Sequence, residues 1–440
     1  MTAPRVARPT VHFVDEYCQS YQDLFVEVRS FEAFKHLHLG AIAELPRKSL
    51  PAIAKATGLP NSQSLQQFLV HSPWEASQLR KRRLELILKV LKGRKLTLVI
   101  DETGDRKKGR STDYVKRQYI GNLGKVENGI VSVDAYGVID NITFPLTFEV
   151  FKPKARLKKS DRHQSKPKIA AAMIQWLCDF GFEFELVLAD SEYGESGSSF
   201  VAKLHELQLP YALAIRSNHA MWLPTDQYIR ANRWRAYERT FSDGRTETRF
   251  IREIVYGKRR AKRYWQLTTD KETLPNASTW MVMTHVEGIS YKQVGDLYGL
   301  RNWVEYGFKQ CKNELGWADF RVTDYAAIEK WWEVMMSAYL MVALHTPPMR
   351  PDGTVPPELE VSPVVAAFTQ HCQWCKGTGW KSWLNNLRLI VLPWVSANQL
   401  RPWLKVFSIP TLEQGFETLI TLMNLFQGAT FSEAPHLSSA

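Results

Sequence analysis

KLTLVIDETG, Lys95–Gly104, is the stretch on which the fold turns. Leu96 to Ile100 are all apolar or β-branched, and two acids follow at once in Asp101 and Glu102. A short run of this kind reads as a strand buried on both faces. An acid set directly behind it is no core filler, because burying an unpaired carboxylate is costly. FELVLAD, Phe184–Asp190, repeats the pattern with a second buried strand that ends on Asp190. In open α/β sheets, ligands and metals gather where such strands end.

Outward from these two strands, GIVSVDAYGVID (Gly129–Asp140) and ITFPLTFEVF (Ile142–Phe151) are rich in β-branched and aromatic residues and broken by Gly137 and Asn141. They read as two further strands, antiparallel to the first. Lys168–Phe180 carries an apolar face of Ile169, Met173, Trp176 and Leu177 and reads as a helix. Phe200–Leu207 reads as another helix, and YALAIRS (Tyr211–Ser217) as a fifth strand. Three strands, a helix, a strand, a helix and a strand is the order of a ribonuclease H-like α/β core.

Residues 219–278 interrupt that core with many Arg and Lys in strand-like alternation, a mostly β insertion. STWMVMTH (Ser278–His285) returns to strand, Ser290–Leu315 reads as one long amphipathic helix, and Tyr325–Leu344 as another. In the latter, Trp331, Trp332, Met335 and Met336 read as core. The expected plan is a helical, DNA-binding N-terminal domain over 1–95, the catalytic core in two parts over 96–218 and 279–346, the β-rich insertion over 219–278, and a helical C-terminal region over 347–440. Leu50–Val70 has the look of a helix-turn-helix, one helix ending at Gly58 and the next starting after Ser62 or Ser64. DNA contact by this unit and an ordinary αα-hairpin both fit the pattern.

The third piece of chemistry lies in YGLRNWVEYGFKQCK, Tyr298–Lys312. On a continuous helix at about 100° per residue, Tyr298, Arg301, Glu305 and Lys312 fall within a stripe of about 60°. A phenol, two cations and one acid on one face suit a surface that presents a carboxylate to a metal and cations to phosphates. Asp101, Asp190 and Glu305 then form an acidic trio.

With Tyr298-x2-Arg301-x3-Glu305-x6-Lys312 in place, the chain resembles the DDE transposases of bacterial insertion sequences that carry a Tyr-Arg-Glu-Lys signature. The Asp101–Gly129 stretch resembles the first-acid block of the DDE endonucleases, and ADSEYG around Asp190 the second. The resemblance implies that Asp101, Asp190 and Glu305 are catalytic and bind two Mg²⁺ ions, with Mn²⁺ as an alternative. It implies that Tyr298, Arg301 and Lys312 hold transposon-end phosphates. It also implies cut-and-paste chemistry through a hairpin, with Trp222, Trp234 or Trp265 stacking a flipped base, and a homodimer in the synaptic complex. A ribonuclease H-fold endonuclease that cleaves without strand transfer is the alternative, and a non-catalytic descendant would be expected to lose an acid.

Charge agrees with a DNA partner. The 440 residues hold 57 Lys and Arg against 45 Asp and Glu, a formal net charge of +12. Such an excess points to a polyanion. Lys107, Lys108 and Arg110 follow the first acid, and Lys158 and Lys159 lie in the run Lys152–Lys168; all five are candidate phosphate contacts. The spare acids Glu102, Asp105 and Glu192 stand beside the proposed ligands, Glu192 being the main rival. HCQWC (His371–Cys375) offers one Cys-x-x-Cys pair where structural zinc usually takes two, so its cysteines read as buried thiols. Five cysteines, no spanning apolar run and no leader-like N-terminus point to a cytoplasmic protein at the bacterial nucleoid, with no membrane partner.

Overall fold

The computed structural model describes residues 5–140, 142–219, 223–240, 246–349 and 367–427. Five helices open the chain: α1 (His12–Gln19), α2 (Val28–Ile42), α3 (Leu50–Thr57), α4 (Gln63–Val70) and α5 (Ala76–Leu91). The local signals for α3 work as the sequence implies. The Ser49 hydroxyl accepts from the Ala52 amide, Pro51 sits in the first turn, and Gly58 at φ 81° ends the helix. That left-handed turn is one glycine adopts without strain.

Next come β1 (Leu96–Arg106), β2 (Lys116–Ile120), β3 (Lys125–Ile139), β4 (Ile142–Val150), α6 (Lys166–Asp179), β5 (Phe184–Ala189), α7 (Ser191–Gly194), α8 (Ala202–Glu206) and β6 (Tyr211–Ile215). A π-helical turn over Gly197–Val201 leads into α8, so the helix expected over Phe200–Leu207 begins as a wider coil. Strand β1 runs antiparallel to β3, which also pairs with β4, and parallel to β5, which runs parallel to β6. The sequence pattern does not show β2. Its residues KRQYI are polar and largely exposed, the dress of an edge strand, and they pair with the start of β3.

The region read as an insertion holds β7 (Ile229–Ala231), β8 (Arg235–Thr240), β9 (Thr246–Tyr256) and β10 (Arg263–Thr268), followed by β11 (Trp280–His285). These strands extend the core sheet. The main path runs β2-β3-β1-β5-β6-β11-β10-β9-β7, because β11 pairs with β6 on one side and β10 on the other.

The helix expected over Ser290–Leu315 is broken in two. Helix α9 (Tyr291–Gly299) gives way at Leu300 and Arg301 to α10 (Asn302–Lys309), and Gln310–Glu314 follows as a π-helical turn. The break falls where the packing partner changes: α9 lies on β6, β8 and β9, whereas α10 lies on β1, β3 and β4. Glycines permit the first contact. A Cβ on Gly295 would fall 2.3 Å from the Tyr237 ring, and one on Gly299 would fall 3.0 Å from the Arg239 side chain.

Helix α11 (Tyr325–Ala343) runs through the main core, with Trp331, Trp332, Met335 and Met336 all buried. Its Glu333 is fully buried and paired with Arg83 at 3.1 Å, and Arg83 also donates to the Pro145 and Leu146 carbonyls of β4. A buried carboxylate is tolerable only with such partners. Two C-terminal helices, α12 (Trp380–Leu404) and α13 (Pro410–Met423), pack on each other. The end of α12 and the connection after it expose Trp403, Val406, Phe407 and Ile409.

Candidate active site

Strands β1 and β5 are parallel neighbours with Ile100 level with Ala189, so the next residue of each, Asp101 and Asp190, emerges at the same end of the sheet. The two acids predicted from separate apolar runs are thus brought together by backbone pairing. Asp190 caps the short α7, its Oδ1 accepting from the Glu192 amide at 2.9 Å. That turn is pressed against β6: a Cβ on Gly194 would lie 1.9 Å from the Ala214 carbonyl oxygen. Glycine is therefore required where the second acid is held.

Alternation along β1 sends Asp101 to one face and Glu102 to the other. Helix α10 covers the Asp101 face. Gly307 brings it close, since a Cβ there would lie 2.6 Å from the Tyr136 ring of β3. The Arg301 guanidinium stands 3.5 Å from Asp101 Oδ2, and Asp101 Oδ1 accepts from the Glu102 amide at 2.8 Å. Burial pushes the Asp101 carboxyl up to about 6, Arg301 opposes the rise, and the charges of Asp190 and Glu305 add to it. Asp101 thus feels both other acids of the trio. Glu305 itself is exposed, so the site opens to solvent on the helix side.

The carboxylates of Asp101, Asp190 and Glu305 are the hard oxygen donors that a divalent cation of the Mg²⁺ kind prefers. Among the described residues, no three His, Cys, Asp or Glu side chains stand close enough to enclose a metal ion as they are. Like charges repel, and the guanidinium of Arg301 shares the space beside Asp101.

The neighbouring acids divide by face. Glu102 points to the α6 side, where Lys166 lies 2.5 Å from Glu102 and 3.1 Å from Glu192. Glu192, the rival candidate, is thereby tied to Lys166. Asp105 lies on the Asp101 face and pairs with Lys312 at 2.7 Å. Sequence reading missed a fourth acid there, Asp134, which stands directly across from Asp101 in the β1–β3 register and is fully buried. Ser132 donates to it at 2.7 Å, and burial pushes its carboxyl up to about 8. An acid in the middle of the apolar run VSVDAYGV was the available signal.

Of the other candidates, the Tyr298 side chain lies outside the described residues, although its backbone belongs to α9. Lys108, Arg110 and Lys159 are exposed. Lys107 is half-buried with its ammonium 3.2 Å from the centre of the Phe320 ring, and burial lowers it to about 8. Lys158 pairs with Asp113 at 2.6 Å. Trp265 is buried and donates to Thr284, which places it in the sheet's core. Trp234 is half-buried under the Arg252 guanidinium, and Trp222 lies outside the described residues. Cys372 is exposed and Cys375 half-buried, against the expectation of two buried thiols, because the Cys-x-x-Cys turn precedes α12 at the surface. Among the described residues no helix is long and apolar enough to cross a membrane.

Comparison with known proteins bears on the same residues. A family model described as DDE superfamily endonuclease matches residues 24–263, a stretch that contains Asp101 and Asp190 and stops short of Glu305. Members of that superfamily generally use divalent metal ions. A probable transposase for insertion sequence element IS701, from Microchaete diplosiphon, is 59% identical over 329 residues, covering 75% of this chain and 87% of the relative. The solved piggyBac transposase synaptic complex with hairpin DNA gives a TM-score of 0.44 at 10% identity, over 98% of this chain and 83% of that one. This chain belongs to the DDE superfamily endonucleases and is an insertion-sequence transposase among them.

Proposed function

We propose that Asp101, Asp190 and Glu305 form the catalytic centre of a cut-and-paste transposase on a ribonuclease H-like core. The observation that carries this reading is the pairing of Ile100 with Ala189, which sets two strand-end acids side by side, together with the packing of α10, the helix of Glu305, on β1. The strand order β4-β3-β1-β5-β6, with the last three parallel, supports the ribonuclease H-like assignment.

The three carboxylates would hold Mg²⁺, in a pair of ions, with Mn²⁺ as an alternative. When bound, such ions lower the pKa of an attacking water and offset charge on the attacked and leaving oxygens of an in-line displacement. The protein's own share is placement. Asp190 is fixed by its capping bond and Asp101 by the strand, while α10 would carry Glu305 to them. Arg301 and Tyr298 would contact the DNA end, and the exposed Lys108, Arg110 and Lys159 would add salt-sensitive contacts to the backbone. Lys107 and Lys158 can join them only by leaving partners within the protein. Trp234 is the described candidate for stacking a base flipped from a hairpin end. Joining two ends requires two active sites, so the working form on DNA is a homodimer, at the nucleoid.

The test uses duplexes that carry the terminal inverted repeats of the element. Wild-type protein with Mg²⁺ is expected to cleave them. Asp101→Ala, Asp190→Ala and Glu305→Ala should each abolish cleavage while a gel-shift assay still shows end binding. Full-rate cleavage by any one of the three would remove that residue from the centre.

A further inference from the structure

Each aspartate of the proposed centre takes the same kind of hydrogen bond. Asp101 Oδ1 accepts from the amide of Glu102, the next residue, at 2.8 Å. Asp190 Oδ1 accepts from the amide of Glu192, two residues on, at 2.9 Å. The side chains of those two glutamates end on a single cation. Lys166 Nζ lies 2.5 Å from Glu102 Oε2 and 3.1 Å from Glu192 Oε2. One ammonium therefore joins the two residues whose amides orient Asp101 and Asp190.

That ammonium belongs to a third element. Lys166 opens α6, which packs on β3, β4 and α7, so the lysine stands on a helix braced against the same sheet. It meets Glu102 on the face opposite Asp101, because side chains alternate along β1. The contact thus lies behind the strand ends, away from α10. Lys166 and Glu102 are 15% and 14% exposed, whereas Glu192 is 41% exposed. Solvent and salt screen the outer pair more than the inner one, which makes Glu102 the firmer anchor.

We infer that Lys166 is a positioning residue that clamps the turns carrying Asp101 and Asp190 through Glu102 and Glu192. The inference rests on the proposed catalytic trio. A carboxylate that binds a metal ion must aim one oxygen at a fixed place, and the amide bound to its other oxygen sets that aim. Without the ammonium, Glu102 and Glu192 become close like charges and push the two turns apart. Glu102, a spare acid in sequence, and Glu192, a rival ligand, gain one role between them.

The experiment compares Lys166→Met, Lys166→Arg, Glu102→Ala, Glu192→Ala and the Glu102→Ala/Glu192→Ala double variant on the full chain. Circular dichroism and thermal melts serve as folding controls. Calorimetric Mn²⁺ binding, measured without DNA, is the first readout, and single-turnover cleavage of the inverted-repeat duplex is the second. Lys166→Met is expected to lose both by about 10- to 100-fold, as residues that orient metal ligands do. Lys166→Arg, which keeps donors for both carboxylates, should recover most of the loss. Glu102→Ala should cost more than Glu192→Ala. In the double variant, adding Lys166→Met should change Mn²⁺ affinity by less than about twofold, because the ammonium has nothing left to hold. Wild-type Mn²⁺ affinity in Lys166→Met would overturn the inference, and a fall in cleavage alone would then mark a DNA contact. So would an equal loss when Lys166→Met is added to the double variant. A wild type that binds no Mn²⁺ would bring down the trio and the clamp with it, whereas an unmoved Lys166→Met brings down the clamp alone.

Discussion

Gly307 stands two residues beyond Glu305 and faces Tyr136, where a Cβ would intrude to 2.6 Å. The ring is buried, so a methyl group there must displace the ring or lift α10 from the sheet. Gly307→Ala is therefore expected to cut the cleavage rate by about 100-fold, the scale of a misplacement near 1 Å, while end binding stays within twofold by gel shift. Wild-type turnover in that variant would show that α10 tolerates the shift. At this scale much of the site was legible. Asp101 and Asp190 announce themselves as acids behind apolar runs, and Glu305 through the spacing of its neighbours. Asp134 and the Lys312–Asp105 pair were not legible, because both depend on which strand or helix lies opposite, and no local pattern records that.

Among the elements, strands and helices with a clean period were readable, whereas the breaks were not. The apolar period of Ser290–Leu315 runs on through Leu300 and Arg301, yet α9 packs on β6, β8 and β9 and α10 on β1, β3 and β4, and two sets of partners impose two axes. Helix–helix contacts in the core also hold polar groups that a periodicity count files as filler. His38 of α2 is fully buried, its Nδ1 at 2.9 Å from the Phe34 carbonyl and its Nε2 at 2.9 Å from the Ser337 hydroxyl of α11. Burial pushes His38 down to about 4, so the folded protein keeps the ring neutral where the unfolded chain takes up a proton. The sign follows: the contribution is complete above about pH 6.5 and is lost as pH falls toward 4. Thermal melts of wild type and His38→Gln should therefore converge on acidification, the wild type losing about 2 kcal/mol more between pH 7 and pH 5. Parallel curves would mean that His38 does not titrate in that window.

For the whole molecule, the charge and composition bounded the partner, and the strand order bounded the core. The continuity of the sheet through the insertion was hidden, because β6 and β11 are more than sixty residues apart in sequence and pair only in space. That continuity has a metric consequence. From β1 to β9 the sheet takes five strand steps, about 24 Å at the usual spacing, with backbone hydrogen bonds bracing each step. A duplex rises about 3.4 Å per base pair along each strand, so an end laid across the strands would meet β9 about seven base pairs from the Asp101 strand. Hydroxyl-radical footprinting of the bound end should show protection centred near that offset, weakening when the half-buried Arg252 of β9 is replaced by Ala. Protection beginning at the cut itself would contradict it. The sheet is in this sense a gauge, and the distance between cutting point and grip is counted in strands.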